Sequence, residues 1–309
     1  MEHYSVLLNE SLDLLQINPE GIYVDGTLGR GGHSSKIAEK LTTGHLYSFD
    51  KDQTAIEESK KRLEPWKEKV TLIHSDFSNM KEKLNELGIT EIDGRILDLG
   101  VSSPQFDDPE RGFSYRFDAR LDMRMDQSQA LSAYEVINEY EQKDLAQIFR
   151  KYGEEQFAGP IARKIVERRQ KEAIATTFDL VNVIKEALPM KVKAKKGHPA
   201  KKVFQAVRIE VNHELSSLEI GLKDGLEMLK KGGRAAVITF HSLEDRIVKE
   251  MFVEHASTEK VDKRIPLLPD QIKEADYQLL NKKPILPSDI ENEENNRSHS
   301  AKLRGIERK

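Results

Sequence analysis

One stretch constrains this chain more than any other: Ile22 to His33, I-Y-V-D-G-T-L-G-R-G-G-H, where four glycines follow a short apolar run. Ile22, Tyr23 and Val24 read as a buried strand ending at Asp25. Gly26, Gly29, Gly31 and Gly32 then make a turn, and Ser34 to Lys40 reads as a helix. Glycine lets the backbone adopt positive φ and run close to a ligand. The unpaired N–H groups of a helix start face the same space. Strand, glycine turn and helix start in this order predict a nucleotide-binding corner.

The next strand, His45 to Phe49, ends in Asp50, roughly twenty residues past the turn, where an acid is placed to hydrogen-bond ribose hydroxyls. Nicotinamide and S-adenosylmethionine binders both use that geometry. Aligned from Gly29, however, a G-x-G-x-x-G pattern would put Ser34 at its last glycine, a poor dinucleotide fingerprint. An acid at the first strand end, Asp25, suits a cofactor carrying a positive amine and sulfonium, so S-adenosylmethionine is the expected ligand. A third strand, Val70 to His74, leads to Phe77, placed either to meet the adenine or to pack the strand end. A fourth, Arg95 to Leu97, ends at Asp98. Helical segments at Gln53–Leu63 and Met80–Leu87 separate these strands, which predicts a doubly wound parallel sheet with its ligand outside the carboxyl ends. Asp25, Asp50, Phe77 and Asp98 all fall on that edge.

The alternation then stops. Leu145, Ile148, Phe149 and Tyr152, then Phe157, Ile161, Ile165 and Val166, follow a helical period, and a further helix runs from Phe178 to Leu188. The expected organisation is a core over 1–104, a helical insert over 105–202 and a returning core over 203–309. That return opens with one long helix from Phe204 to Leu222 and a fifth strand at Ala235–Phe240. Glu291 to Asn296 reads as a flexible polar tract. The basic end, R-S-H-S-A-K-L-R-G-I-E-R-K, reads as an edge strand or an RNA-contacting tail.

Composition narrows the chemistry. Among 309 residues there is no cysteine, which excludes disulfides, thiolate metal sites and a thiol nucleophile. Methylation at a pyrimidine C5, which normally needs an attacking cysteine, is disfavoured, and a nitrogen or oxygen acceptor is expected. No metal is required. With 33% charged residues, no membrane-length apolar run and an N-terminus, M-E-H-Y-S-V, unlike a signal peptide, a cytoplasmic protein without membrane contact is expected. The net charge of −4 exerts no general pull on nucleic acid, so any such surface is local. Met190 to Lys202, with recurring lysines and no acid, is the candidate; a solvated loop is the alternative.

After the fourth strand comes D-L-G-V-S-S-P-Q-F, Asp98 to Phe106. Enzymes that methylate exocyclic base amines place a small polar residue and a proline at this point. Acceptors aimed at the amine N–H groups localise its lone pair towards the methyl carbon, and the rest is alignment. Asp98, Ser103 and Pro104 are therefore the candidate catalytic residues, with Phe106 available to stack on a flipped base.

Six blocks in order, D-G-T-L-G-R-G-G-H, L-D-L-G-V-S-S-P-Q, E-R-G-F-S-Y, L-D-M-R-M-D, F-Q-A-V-R-I-E-V-N and F-H-S-L-E-D-R-I-V-K, closely resemble the bacterial small-subunit rRNA cytosine-N4 methyltransferase family, from Tyr4 to Arg308. The resemblance implies a class I S-adenosylmethionine-dependent methyltransferase fold, Rossmann-like α/β with seven mostly parallel strands and an inserted helical domain. It implies methylation of a cytosine N4 in the decoding region of 16S rRNA, within the small ribosomal subunit, by a monomer or homodimer. By motif it implies cofactor contacts from Gly31, Gly32, His33, Asp50, Phe77, Asp98 and Gln105. Arg208, His241 and Arg246 are expected near RNA, with Ser242 as an alternative helix cap. Arg111 and Arg116 are expected on a loop entering the insert, a lid ordered by RNA. Two other readings compete. A nicotinamide-dependent oxidoreductase fails on the imperfect glycine pattern. A non-catalytic ribosome-assembly factor leaves Asp50 and the glycine turn without a purpose.

Overall fold

Seven strands, β1 (Ile22–Asp25), β2 (His45–Asp50), β3 (Val70–His74), β4 (Ile92–Asp98), β5 (Leu229–Thr239), β6 (Tyr277–Leu279) and β7 (Lys302–Arg308), form one sheet in the order β3-β2-β1-β4-β5-β7-β6. This computed structural model describes residues 5–193, 197–258, 274–295 and 297–309. The chain divides into two compact units, Met1–Gly100 with Leu215–Lys309, and Val101–Glu214.

The first unit holds the sheet. β1 to β5 are parallel, and β7 runs antiparallel to both β5 and β6. Side chains alternate between the two faces of a strand, and both faces here are buried. Val24, Phe49, Leu97 and Val237 join one core, while Tyr23, Leu46, Ile96 and Ile238 join another. The strand order reverses between β1 and β4, so the crevice outside their carboxyl ends is the switch point where doubly wound sheets bind ligands.

Two expectations for the C-terminal part are corrected. The basic end is neither an edge strand nor a free tail, because β7 lies between β5 and β6 with partners on both sides. The polar tract at 291–296 is mostly a helix, Asp289–Glu294, capped by Ser288. Within it Glu291 Oε1 accepts the Leu7 N–H at 2.8 Å, tying the tract to the N-terminal segment. Asn296 lies outside the described residues.

The second unit is helical around its own core, which includes Leu145, Phe149, Ile161, Leu180, Val203 and Val207. Its described residues contain no named strand, only an isolated bridge between Arg120 and Thr176. Ser132 with Glu135 and Thr176 with Asp179 close capping boxes at the starts of helices Ala133–Glu139 and Thr177–Ala187. The single long helix expected from Phe204 to Leu222 is two helices, Lys201–Asn212 and Glu214–Glu227, because His213 sits in the left-handed region at φ 51°. Residues 203–214, expected with the returning core, belong to this second unit. Of the lysine run, 194–196 lie outside the described residues.

Candidate functional site

The glycine corner is sewn to the sheet by its own backbone. Gly26 N–H donates to Ile96 O at 3.0 Å and Leu28 N–H to Phe49 O at 2.9 Å. Gly29 and Gly31 take φ of 50° and 73°, which only glycine adopts at little cost. Helix Gly32–Lys40 begins at Gly31, whose N–H donates to Leu28 O at 2.8 Å, and in its first turn the Ser34 backbone N–H turns back to the Asp25 carboxyl.

Three strand-end carboxyls surround this corner in different states. Asp25 is 1% exposed, and its oxygens accept the Thr27 N–H at 3.0 Å and the Ser34 hydroxyl at 2.7 Å. Burial raises its pKa, and these bonds oppose the rise. The expectation that Asp25 faces a sulfonium is therefore corrected: its carboxyl is enclosed and holds β1 to the following helix. Asp50 Oδ2 accepts from Gly29 N–H at 2.8 Å and Oδ1 from Asp52 N–H at 2.9 Å, each oxygen keeping a lone pair. Burial pushes its pKa up to about 6, and the carboxyls of Asp52 and Asp25 add to the rise.

Asp98, on β4, is the unsatisfied one. Its N–H donates to Thr27 Oγ1 at 2.6 Å, but its Oδ1 is buried with no hydrogen-bond partner among the described residues. Oδ2 lies 3.8 Å from His33 Nδ1, too far for a hydrogen bond. Burial pushes the carboxyl up to about 8, with the charges of Asp25, Glu244 and Glu291 contributing. Burial also pushes the His33 imidazole down to about 4, against a bond to the Val6 backbone, and its Nε2 has no partner among the described residues. At neutral pH the two groups face each other uncharged rather than as an ion pair.

Phe77 opens a short 3-10 turn after β3, where it packs into the core with Leu97 and Leu218. A Cβ added to Gly221 would lie 2.5 Å from Phe77 Cδ2, so the ring is seated on that helix and fills the packing alternative. His241, not Ser242, caps helix Ser242–His255, and Glu244 Oε2 accepts the N–H groups of His241 at 3.3 Å and Phe240 at 2.8 Å. Arg246, one turn on, is exposed.

The other predicted residues lie in the second unit. Ser103, Pro104, Gln105 and Phe106 form helix Ser103–Asp107, and Gln105 is buried in a capping box, its Oε1 accepting the Ser102 N–H at 3.1 Å. Phe106 is half-buried against this unit's core. Arg208 makes a bidentate pair with Glu214 at 2.8 and 2.9 Å. Arg111 is buried and donates to the carbonyls of Arg124 and Met125 at 2.9 and 3.1 Å, which makes it an internal brace rather than a lid residue. Arg116 is exposed.

The sequence reading missed Thr27 and Ser34, the hydroxyls that hold Asp98 and Asp25. It also missed Asp76, which accepts from Lys51 Nζ at 3.0 Å and Ser217 Oγ at 3.2 Å. Hydroxyls flanking a glycine turn were the available signal for the first two.

A mostly parallel sheet that reverses at β1/β4, with a glycine corner and a half-satisfied acid at the switch point, is the α/β architecture of class I methyltransferases. The residues fit S-adenosylmethionine: an acceptor oxygen on Asp98, lone pairs on Asp50 and a glycine turn that lets a ligand approach the backbone, with no soft metal ligand required. The model of the MraW methylase family matches residues 1–309, and the chain belongs to that S-adenosylmethionine-dependent family. It is 53% identical over 308 residues to ribosomal RNA small subunit methyltransferase H of Oenococcus oeni, covering 99% of this chain and 98% of that protein. It is 54% identical over 308 residues to the protein of the same name from Limosilactobacillus fermentum, with the same coverage. Among solved structures, a rRNA methylase from Streptococcus thermophilus aligns at a TM-score of 0.42 and 12% identity over 97% of this chain and 93% of that one, a distant likeness on which nothing further rests.

Proposed function

We propose that this protein transfers a methyl group from S-adenosylmethionine to small-subunit ribosomal RNA, and that the acceptor is the exocyclic N4 of cytosine 1402 in 16S rRNA. The observation that carries the reading is identity above one half along essentially the whole length of two proteins so named. The absence of cysteine supports an amine acceptor over a ring carbon. The cytoplasm, with the small subunit or its RNA, is the proposed place of action. No helix among the described residues is long and apolar enough to cross a membrane.

When bound, S-adenosylmethionine supplies an electrophilic methyl carbon on a sulfonium leaving group. The chain's residues do the rest. Gly31 and Gly32 let the backbone run close to the cofactor, Asp50 offers its remaining lone pairs to ribose hydroxyls, and Phe77 borders the adenine. Asp98 accepts hydrogen bonds through its open oxygen, and beside a cation its carboxyl gives up the proton that burial otherwise holds. His33, neutral, keeps a second positive charge away from that place. Ser103, Pro104 and Gln105 keep the roles their motif assigns, the first two towards the acceptor amine and Gln105 towards the donor. Arg208, His241 and Arg246 are the residues proposed on the RNA side.

Mass spectrometry of 16S rRNA nucleosides from cells with and without the gene tests the reading. N4-methylated cytidine should vanish with the gene and return with a plasmid copy. An unchanged nucleoside profile would sink the substrate assignment.

A further inference from the structure

The second unit carries an aromatic pair that the reading above does not use. The His198 ring stacks on Tyr115 with centroids 4.2 Å apart and planes 6° from parallel. Phe204 meets Tyr115 edge-on at 5.6 Å, which fixes the lower ring against the core. His198 Nδ1 accepts the Ala200 N–H at 3.3 Å, so the ring is held in one orientation with its other nitrogen protonated. Burial lowers the His198 pKa, and the nearby charges of Lys185 and Arg116 lower it further, keeping the ring neutral and flat-faced at neutral pH. The ring's second face has no aromatic partner among the described residues. Lys185 and Arg116 are both exposed, and neither has an ion-pair partner among the described residues. Exposed Lys191 and Lys201 follow in the same acid-free run.

A rigid half-exposed ring beside unpaired cations, in a protein of net charge −4, is what single-stranded RNA recognises: bases stack on aromatic planes while lysine and arginine take the phosphates. Tyr115 and Phe204 pack with the core of this unit, while His198 stands half-exposed on Tyr115. We propose that His198, seated on Tyr115 and flanked by Arg116 and Lys185, is a stacking platform for an unpaired nucleotide of the RNA substrate. The proposal rests on the rRNA reading and adds where, on the helical unit, single-stranded RNA is gripped.

The test uses the full-length protein and a short fluorescein-labelled single-stranded RNA, with its duplex as control, followed by anisotropy over a salt series. His198→Ala should weaken single-strand binding by about 5- to 150-fold, the range for removing one base stack. His198→Phe should restore most of the affinity. Arg116→Ala with Lys185→Ala should lower the slope of log K against log salt by about 0.7 for every phosphate that the two cations neutralise. Calorimetric binding of S-adenosylhomocysteine should be the same in all variants, which a general structural defect would not allow. If His198→Ala melts early, the phenylalanine and double-charge variants still decide. Unchanged affinity and salt slope in variants of a wild type that binds and methylates RNA would overturn the platform and leave the enzyme reading standing. Equal weakening on duplex overturns the single-strand assignment, and a wild type that binds no RNA overturns both.

Discussion

β1 and β4 are neighbours at the point where the strand order reverses, and each ends in an aspartate. Their carboxyls are treated in opposite ways. Asp25 has a donor on each oxygen, and Ser34 is itself held 2.8 Å from Ser48. Asp98 has an oxygen without a donor among the described residues and faces a histidine that burial keeps neutral. A buried polar group that costs free energy is retained only where it is satisfied or where something else uses it. The contrast puts Asp25 in the frame of the corner and leaves Asp98 with the open oxygen that the proposed function gives to the ligand.

The sharpest way to break that contrast is Asp98→Asn. The amide keeps the shape but cannot carry the charge. Methyl transfer to rRNA should fall on the order of 10²- to 10³-fold, the usual scale for losing one preorganised electrostatic partner. Thermal stability should hold or rise, since an unsatisfied carboxyl has been removed. A variant that unfolds early yet methylates normally per folded molecule would reverse the assignment.

Next in size are the pH effects. Asp98 titrates at about 8 in the fold against an ordinary 3.8, so between those values the folded state holds a proton that the unfolded chain has released. Stability therefore falls as pH rises through that window, and Asp98→Asn should make the decline shallower in chemical denaturation from pH 5 to 9. Asp50, at about 6, leaves a residual decline at the acid end. His33 acts with the opposite sign: held at about 4 against 6.5, it costs stability as pH falls through that interval. A bound cation must displace the Asp98 proton, so S-adenosylmethionine affinity should rise towards pH 8 by up to about tenfold per unit. S-adenosylhomocysteine, lacking the sulfonium charge, should respond less. Parallel pH profiles for the two ligands would mean that Asp98 does not meet the sulfonium charge.

Much of this edge is legible in the sequence. The short apolar runs place β1 to β4, and the residue at the end of each strand lands on one side because parallel strands point the same way. What stays hidden is who satisfies whom. Asp25 and Asp98 look alike in sequence, and only tertiary structure reveals that Ser34 and the Thr27 N–H serve one while Thr27 Oγ1 takes merely the backbone N–H of the other. Phe77 leaves ligand contact and packing open in sequence because nothing local announces Gly221, whose missing side chain makes room for the ring. Glu291 reads as part of a polar tract because its partner, Leu7, lies at the far end of the chain. His213 stops a helix by adopting a left-handed conformation that its residue type permits but does not demand.

If Asp25 belongs to the frame, Asp25→Asn should behave as the inverse of Asp98→Asn. The amide can still accept one bond, but it turns an N–H₂ towards a site built of donors. A cost of roughly 1–3 kcal/mol is expected for the buried group left unpaired. Calorimetric melting should show it, while methyl transfer per folded molecule stays near wild type. A wild-type melting temperature with abolished activity would move Asp25 into the site.

The smallest effect tests whether the corner itself holds the two carboxyls apart. Gly29 has φ of 50°, and a Cβ there would meet nothing nearer than Thr27 O at 4.0 Å. Gly29→Ala should therefore cost only about 1 kcal/mol, from the left-handed backbone alone. Its N–H remains to serve Asp50, so S-adenosylhomocysteine affinity should be unchanged. Gly26 makes the control, because a Cβ there would lie 2.4 Å from Leu97 Cδ2 and must displace a fully buried side chain. If Gly29→Ala bound the ligand poorly while keeping its stability, the turn's role would be contact with the ligand, and the division between frame and site would run through the glycines as well as the aspartates.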